Sequence, residues 1–131
     1  MKRVILMVGI PGSGKTTLVN EVFPGARVCS ADEYFVDAAG VYKFDATKLA
    51  QAHAYCHNKF RASLEAGYRT IVIDNTNIDA RHRLEYAGHA ERAGYQVVEI
   101  RLYADANEAH ARCAHNVPLA TIERMSRRLD I

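Results

Sequence analysis

The residues best suited to chemistry lie near the start of the chain, in the run Gly9-Ile10-Pro11-Gly12-Ser13-Gly14-Lys15-Thr16. The run fits the spacing G-x-x-x-x-G-K-[ST], in which glycines let the backbone fold around an anion with its N–H groups pointing inwards. We expect the lysine to reach the outer phosphates of a nucleotide and the Thr16 hydroxyl to ligate Mg²⁺. The residues predicted to contact the nucleotide are Gly9, Pro11, Gly12, Ser13, Gly14, Lys15, Thr16 and Thr17.

The elements around this run are those that phosphate binding requires. Residues 4–8 are apolar and partly β-branched, which predicts a buried strand, and residues 15–23 predict a helix. The positive end of the helix dipole would add to the attraction for phosphate. A glycine-rich turn that matched by chance would lack this order of strand, loop and helix. The sequence therefore predicts that the chain binds a nucleoside triphosphate such as ATP.

A carboxylate follows the apolar run 70–73, at Asp74. Ligands of parallel sheets bind at the carboxyl ends of the strands, where the phosphate loop also lies. We therefore expect Asp74 to hold Mg²⁺, directly or through a water, beside Thr16. The alternative is a carboxylate that only caps the next turn.

A second carboxylate, Asp32, follows the short strand 27–29 at the same predicted edge. A hydroxyl that accepts a phosphoryl group must lose its proton as the new O–P bond forms, and a well-placed carboxylate can remove that proton. Asp32 is thus the predicted catalytic base. Lys15, which contacts the phosphates, is also predicted to be catalytic. The alternative is that Asp32 caps the turn 33–35.

Positive charge near the transferred phosphate is predicted to come from Arg112, in a lid spanning about residues 110–118. Three further arginines, Arg124, Arg127 and Arg128, lie on the last predicted helix. These three are expected to be solvated or paired with carboxylates of their own helix.

The bulk composition is that of a single globular domain over residues 1–131. Apolar residues make up 49% and charged residues 24%, and the net charge of +2 is too small to argue for nucleic acid by itself. The sequence contains neither a membrane-spanning apolar run nor a signal peptide. Its three cysteines form no C-x-x-C pair, which predicts reduced thiols and a cytoplasmic location, in the host cytoplasm if the chain is phage-encoded.

Strand and helix patterns alternate along the whole chain. The predicted strands span residues 2–8, 27–29, 70–74 and 95–103. The predicted helices span residues 15–23, 45–65 and 79–93, then a short segment after 105, and last 118–128. This alternation predicts a three-layer α/β/α fold of the P-loop NTPase class, with a mostly parallel sheet of four to five strands.

Three segments outside the phosphate loop resemble the polynucleotide-kinase-type P-loop kinases. They are Ser30-Ala31-Asp32-Glu33-Tyr34-Phe35, Asp74-Asn75-Thr76-Asn77, and Asn116-Val117-Pro118-Leu119 continuing through Ile122-Glu123-Arg124-Met125. The resemblance covers nearly the whole chain and implies that the phosphate-loop strand lies between the third and fourth strands. It also implies roles in phosphate and Mg²⁺ binding (Lys15, Thr16), proton removal (Asp32), the acceptor and metal side (Asp74, Asn77) and the lid (Arg112).

The lid departs from the family pattern. Members of the family often carry a longer lid with a second arginine, whereas only residues 113–116 separate Arg112 from Val117 here. His115 is a candidate replacement for the missing arginine.

The resemblance favours a nucleic-acid hydroxyl as acceptor, either a 5′ end or a hydroxymethyl group on a modified base in DNA. In the second case the base would have to leave the stack to reach Asp32. The predicted acceptor-binding residues are Tyr34, Asn77, Arg81 and Arg83. The aromatic residues of the loop after Asp32 could equally form the hydrophobic wall of the long helix.

Two other functions stay open at this stage. The same core serves kinases of sugars, nucleosides and other metabolites, and a nucleotide-binding switch would share the phosphate loop. The sequence does not fix the oligomeric state.

Overall fold

The central sheet has four parallel strands. The structure is a computed structural model that describes residues 1–129, with β1 (Arg3–Val8), β2 (Arg27–Cys29), β3 (Thr70–Ile73) and β4 (Gln96–Arg101). The strands are ordered β2-β3-β1-β4, so β1 lies between β3 and β4. This order confirms the fold class and the strand position that the resemblance implied.

Five α-helices connect or follow the strands. They are α1 (Lys15–Val22), α2 (Leu49–Ala66), α3 (Ala80–Arg92), α4 (Ala106–Arg112) and α5 (Leu119–Leu129). The long helix begins later than the predicted residue 45, because a short 3₁₀ turn, Ala46–Lys48, precedes it. Asp45 caps this turn, accepting a hydrogen bond from the Thr47 amide at 3.0 Å.

The helices cover the sheet on both faces because β1 is apolar at every second position on each side. Val4 and Leu6 face a core that includes Phe60 of α2 and Tyr86 of α3. Ile5 and Met7 face the opposite side, where Val19 of α1 packs against them. A third cluster, under α4 and α5, consists of Val8, Ile10, Ala109, Ile122 and Leu129. A strand buried on both faces is what the continuous apolar run of β1 predicts.

The parallel arrangement places the segments that follow β1, β2 and β3 at one edge of the sheet. That edge therefore carries the phosphate loop, the segment beginning at Ser30 and the segment beginning at Asp74. Within residues 1–129, no helix has the length and hydropathy needed to cross a membrane.

Candidate active site

The phosphate loop connects β1 to α1 and is fixed at both ends. The Gly9 amide donates to the Thr76 carbonyl at 3.0 Å, which ties the loop to the segment after β3. Gly14 precedes the first residue of α1 with a φ of 98°, a left-handed conformation that glycine adopts without strain. The loop thus ends at the N-terminus of an eight-residue helix, as anion binding requires.

Gly12 is the contact between the phosphate loop and α4. Its φ is 80°, and a Cβ at this position would overlap the carbonyl oxygen of Ala109. Glycine is therefore required here for two reasons: the left-handed backbone conformation, and the lack of room for a Cβ beside Ala109. The contact places α4, and with it Arg112, directly beside the loop.

Gly12→Ala is expected to destabilise the protein more than Gly25→Ala. Gly25 has the same φ of 80°, but a Cβ there would meet no atom within 4 Å. The Gly25 variant therefore carries only the backbone strain of roughly 1 kcal/mol, whereas the Gly12 variant adds an overpacking cost of about 1–3 kcal/mol. Thermal unfolding of the two variants measures the difference. Equal melting temperatures would show that α4 does not press on the loop.

Lys15 is buried, and its ammonium bonds to the phosphate loop itself. Nζ donates to the carbonyl oxygens of Gly9 at 2.9 Å and Ile10 at 3.0 Å. Burial lowers the pKa of Lys15, and the carboxylates of Asp74 and Asp32 act against that shift. All three residues follow parallel strands and lie at the same end of the sheet.

Asp74 lies beside the first turn of α1. Its Oδ2 accepts a hydrogen bond from the Thr16 hydroxyl at 3.0 Å, while its buried Oδ1 has no hydrogen-bond partner among the described residues. Burial raises the pKa of Asp74, because the charged form loses hydration without a full set of partners. The side chain faces Thr16 rather than capping the turn after β3.

Asp32 sits in a 3₁₀ turn, Ala31–Phe35, that other residues hold in place. Ser30 and Glu33 form a capping box, in which Ser30 Oγ accepts from the Asp32 amide at 3.2 Å and Glu33 accepts from the Ser30 amide at 2.9 Å. The Asn75 side chain accepts from the Ala31 amide at 2.9 Å. Because Ser30 supplies the cap, the Asp32 carboxylate is left for other contacts, and its side chain is 52% exposed.

Two residues from separate loops contact the Asp32 carboxylate. The Tyr42 hydroxyl donates to Oδ1 at 3.4 Å, and Nε2 of His115 lies 3.6 Å from Oδ2. The Tyr42 and His115 rings stack on each other, with centroids 4.0 Å apart. Burial and the neighbouring carboxylate raise the pKa of Tyr42 to about 12, so its hydroxyl keeps its proton at neutral pH.

The four predicted acceptor-binding residues have different surroundings. Tyr34 is exposed beside Tyr55, and the Arg81 side chain is 87% exposed in the first turn of α3. Asn77 is buried, and its side-chain amide donates to the Met7 carbonyl at 2.7 Å, joining the ends of β1 and β3. Arg83 donates to the Asn77 carbonyl at 2.8 Å and is largely covered. Asn77 and Arg83 therefore hold the backbone at this end of the sheet. Of the four residues, Tyr34 and Arg81 are the two whose side chains are exposed to an acceptor.

Arg112 is the last residue of α4, with an exposed side chain. It follows Ala109, whose backbone carbonyl lies against Gly12, by three residues of the same helix, so α4 brings the Arg112 backbone close to the phosphate loop. Two basic side chains of α5 have partners among the described residues: Arg124 donates to Thr121 at 3.3 Å, and Arg128 lies 3.9 Å from Asp79, which is outside this helix.

Sequence reasoning missed two features of the site. The first is Asn75, which anchors the turn that carries Asp32 and donates to Cys56 at 3.5 Å. The second feature is the joint contact of Tyr42 and His115 with Asp32. The Asp-Asn-Thr-Asn run indicates that residue 75 belongs to the site but not which contact it makes. No local pattern links residues 42 and 115.

Comparisons with known proteins agree with this geometry. A family model described as an AAA domain (AAA_33) matches residues 4–130. NEDD4-binding protein 2 from Homo sapiens is 34% identical over 98 residues, covering 72% of this chain, and the chain spans only 6% of that protein's length.

Two solved structures share the fold. A chain in the Pnkp1/Rnl/Hen1 RNA repair complex superposes with a TM-score of 0.75 at 16% identity, over 98% of this chain and 44% of that one. A gluconokinase from Sinorhizobium meliloti 1021 gives a TM-score of 0.58 at 16% identity, over 98% of this chain and 75% of the gluconokinase.

The chain belongs to the AAA_33 family, because the match covers nearly its full length. The parallel sheet and these similarities confirm the α/β fold that the resemblance to the polynucleotide-kinase-type P-loop kinases implied.

Proposed function

We propose that the protein transfers the γ-phosphate of ATP to a hydroxyl group on nucleic acid. The observation that carries the proposal is that Lys15, the Asp74 carboxylate bonded to Thr16, and the exposed Asp32 carboxylate all lie at the carboxyl end of the sheet. In the transfer, the acceptor oxygen forms a bond to the γ-phosphorus and the bond to the bridging oxygen of ADP breaks. The acceptor's proton passes to Asp32.

Mg²⁺ is the metal that the donor set fits. Asp74 Oδ1 is buried without a hydrogen-bond partner among residues 1–129, and the neighbouring Thr16 hydroxyl is a second hard oxygen donor. Thr16 and Asp74 would hold the ion, which would neutralise charge on the phosphates. A cation there would also relieve the cost of burying the Asp74 carboxylate.

Exposed aromatic side chains around Asp32 support a nucleic-acid acceptor. Phe44 is 53% exposed, and Tyr34 and Tyr55 are also exposed. The ring centroids of Tyr34 and Tyr55 are 6.0 Å apart. Phe35, in contrast, is buried in the core, so only part of this aromatic group forms the wall of α2. Exposed aromatic rings stack on bases of any sequence, and the exposed Arg81 guanidinium, which pairs with Asp79 at 3.3 Å, can also contact a phosphate.

Arg112 is assigned to the lid in this proposal, where it would stabilise charge that develops on the transferred phosphoryl group. Arg112→Ala is expected to lower kcat by roughly 10²-fold while changing ATP affinity much less. Steady-state kinetics together with ATP titration separate the two quantities. Arg124→Ala, on α5, serves as the control because Arg124, within residues 1–129, bonds only to Thr121 of its own helix. An unchanged kcat would remove Arg112 from the lid role.

The decisive experiment offers γ-labelled ATP and Mg²⁺ to three acceptors in parallel. These are a 5′-hydroxyl oligonucleotide, DNA with hydroxymethyl bases, and a panel of sugars, nucleosides and other metabolites. We expect label to enter one of the two nucleic acids, and acceptor KM to rise steeply between about 50 and 200 mM salt as phosphate contacts weaken.

Label in a metabolite, with a KM that salt does not change, would contradict the proposal and favour the small-molecule kinase. The similarity of the fold to a gluconokinase keeps that alternative in the test. Both nucleic-acid arms are needed, because an end hydroxyl and a base hydroxymethyl group present the same chemistry to Asp32.

A further inference from the structure

A side chain lies beside each oxygen of the Asp32 carboxylate, the group proposed to take the acceptor's proton. Tyr42 donates to one oxygen at 3.4 Å, and His115 lies 3.6 Å from the other. A general base must come within hydrogen-bond distance of the hydroxyl that it deprotonates. An acceptor hydroxyl that reaches this carboxylate must therefore share the space around it with these two side chains.

His115 makes the two contacts that a nucleoside at the end of an acceptor would need. Its polar Nε2 atom points at the Asp32 carboxylate, and its flat face covers the Tyr42 ring at 4.0 Å with 29° between the planes. An acceptor nucleoside has a hydroxyl for the carboxylate and a planar base for the tyrosine. The imidazole and such a nucleoside would compete for the same place.

Of the two side chains, His115 is fixed by fewer contacts than Tyr42. Tyr42 packs against the core cluster, with its ring 6.2 Å from that of Phe35. The isolated bridge between Val36 and Tyr42 also fixes the Tyr42 backbone. His115 lies in the loop between α4 and α5, where residues 114–117 donate no backbone hydrogen bond to the described part of the chain.

We propose that Tyr42 is the platform for the nucleobase next to the reacting hydroxyl, and that His115 fills this platform until an acceptor displaces it. The inference rests on the proposed function and narrows it, because it requires an acceptor whose hydroxyl lies beside a planar ring. Tyr42 then determines acceptor specificity, and His115 weakens acceptor binding because its ring must first be displaced. His115 is not a substitute for a second lid arginine under this assignment.

The first test is the kinetics of His115→Ala with the nucleic acid that the wild-type protein phosphorylates. Removing the competing ring should lower acceptor KM by roughly 2- to 10-fold, the value of one aromatic pair, without lowering kcat. A substitute for a lid arginine would instead lose kcat at unchanged acceptor KM. That result would overturn the proposal.

The second test is a double-mutant cycle with Tyr42→Leu. Loss of the platform should raise acceptor KM by roughly 5- to 100-fold, whereas Tyr42→Phe, which keeps the ring and loses only the hydroxyl bonded to Asp32, should raise it much less. In the Tyr42→Leu background, His115→Ala should no longer lower KM, because the place for which the two rings compete is gone. Additive effects of the two substitutions would overturn the proposal.

These outcomes can be told apart from a failure of the proposed function. If the wild-type protein phosphorylates only metabolites without an aromatic ring, both proposals fall together. If it phosphorylates nucleic acid but Tyr42→Leu leaves acceptor KM unchanged, the nucleic-acid function stands and the platform alone is wrong. Circular dichroism melts of each variant check that it is folded.

Discussion

Lys15→Ala is expected to abolish phosphoryl transfer, with a loss in kcat of at least about 10³-fold. The buried ammonium is held by two carbonyl oxygens of the phosphate loop and is the one cation that this loop supplies. A preorganised donor in a covered site is worth several kcal/mol to a transition state that gathers negative charge, because little reorganisation is needed there. Transfer of labelled phosphate to the acceptor measures the loss.

The design of this experiment uses two further variants. Lys15→Met keeps most of the aliphatic stem and removes only the charge, so it should be as inactive as Lys15→Ala but pack better. Lys43→Ala removes an exposed lysine that pairs with Asp37 at 3.2 Å, and it should leave kcat unchanged. Full turnover by Lys15→Met would show that the loop does not hold the transferred phosphate.

Most of the fold could be predicted from the sequence because its strong signals are local. The apolar run of β1 is buried on both faces, and each long helix carries a periodic apolar stripe that packs on the sheet. The start of α2 was placed too early, since Asp45 caps a 3₁₀ turn instead of the helix itself. Cap residues mark the start of a turn without stating its type.

The site was predictable to the extent that strand ends define it. Lys15, Thr16 and Asp74 come together because parallel strands bring their carboxyl ends to one edge. The role of Asn77 was harder to predict, because an asparagine after a strand serves equally well as an acceptor contact or as a buried link between strand ends. In the structure Asn77 is buried and bonded to Met7, which favours the role of a link between the ends of β1 and β3.

The contact between Tyr42 and His115 lies beyond what the sequence can give. Each residue is in a loop without periodicity, and the stacking depends on how α4 rests against the phosphate loop at Gly12. Only the packing of distant segments determines such a pair. The same limit explains why Asn75 was not recognised as the anchor of the Asp32 turn.

Asp32→Asn is expected to keep ATP binding and to lose most of the transfer rate, by about 10²- to 10⁴-fold. Asparagine is nearly isosteric, and its oxygen can still accept the Tyr42 hydrogen bond, so the turn held by Ser30 and Asn75 should not change. What the amide lacks is the ability to take a proton from the acceptor hydroxyl. Measured kcat should therefore fall while the dissociation constant of ATP stays close to that of wild type.

Asp37→Asn is the matched control for this experiment. Asp37 lies in the same segment and accepts hydrogen bonds from the amides of Ala39 at 2.9 Å and Val41 at 3.0 Å, contacts that an asparagine oxygen can keep. Its carboxylate has no part in the proposed transfer, so kcat should be unaffected. If ATP affinity and kcat fell together in Asp32→Asn but not in Asp37→Asn, Asp32 would be a structural residue of the nucleotide site. Proton removal would then have to be assigned to another group at this edge.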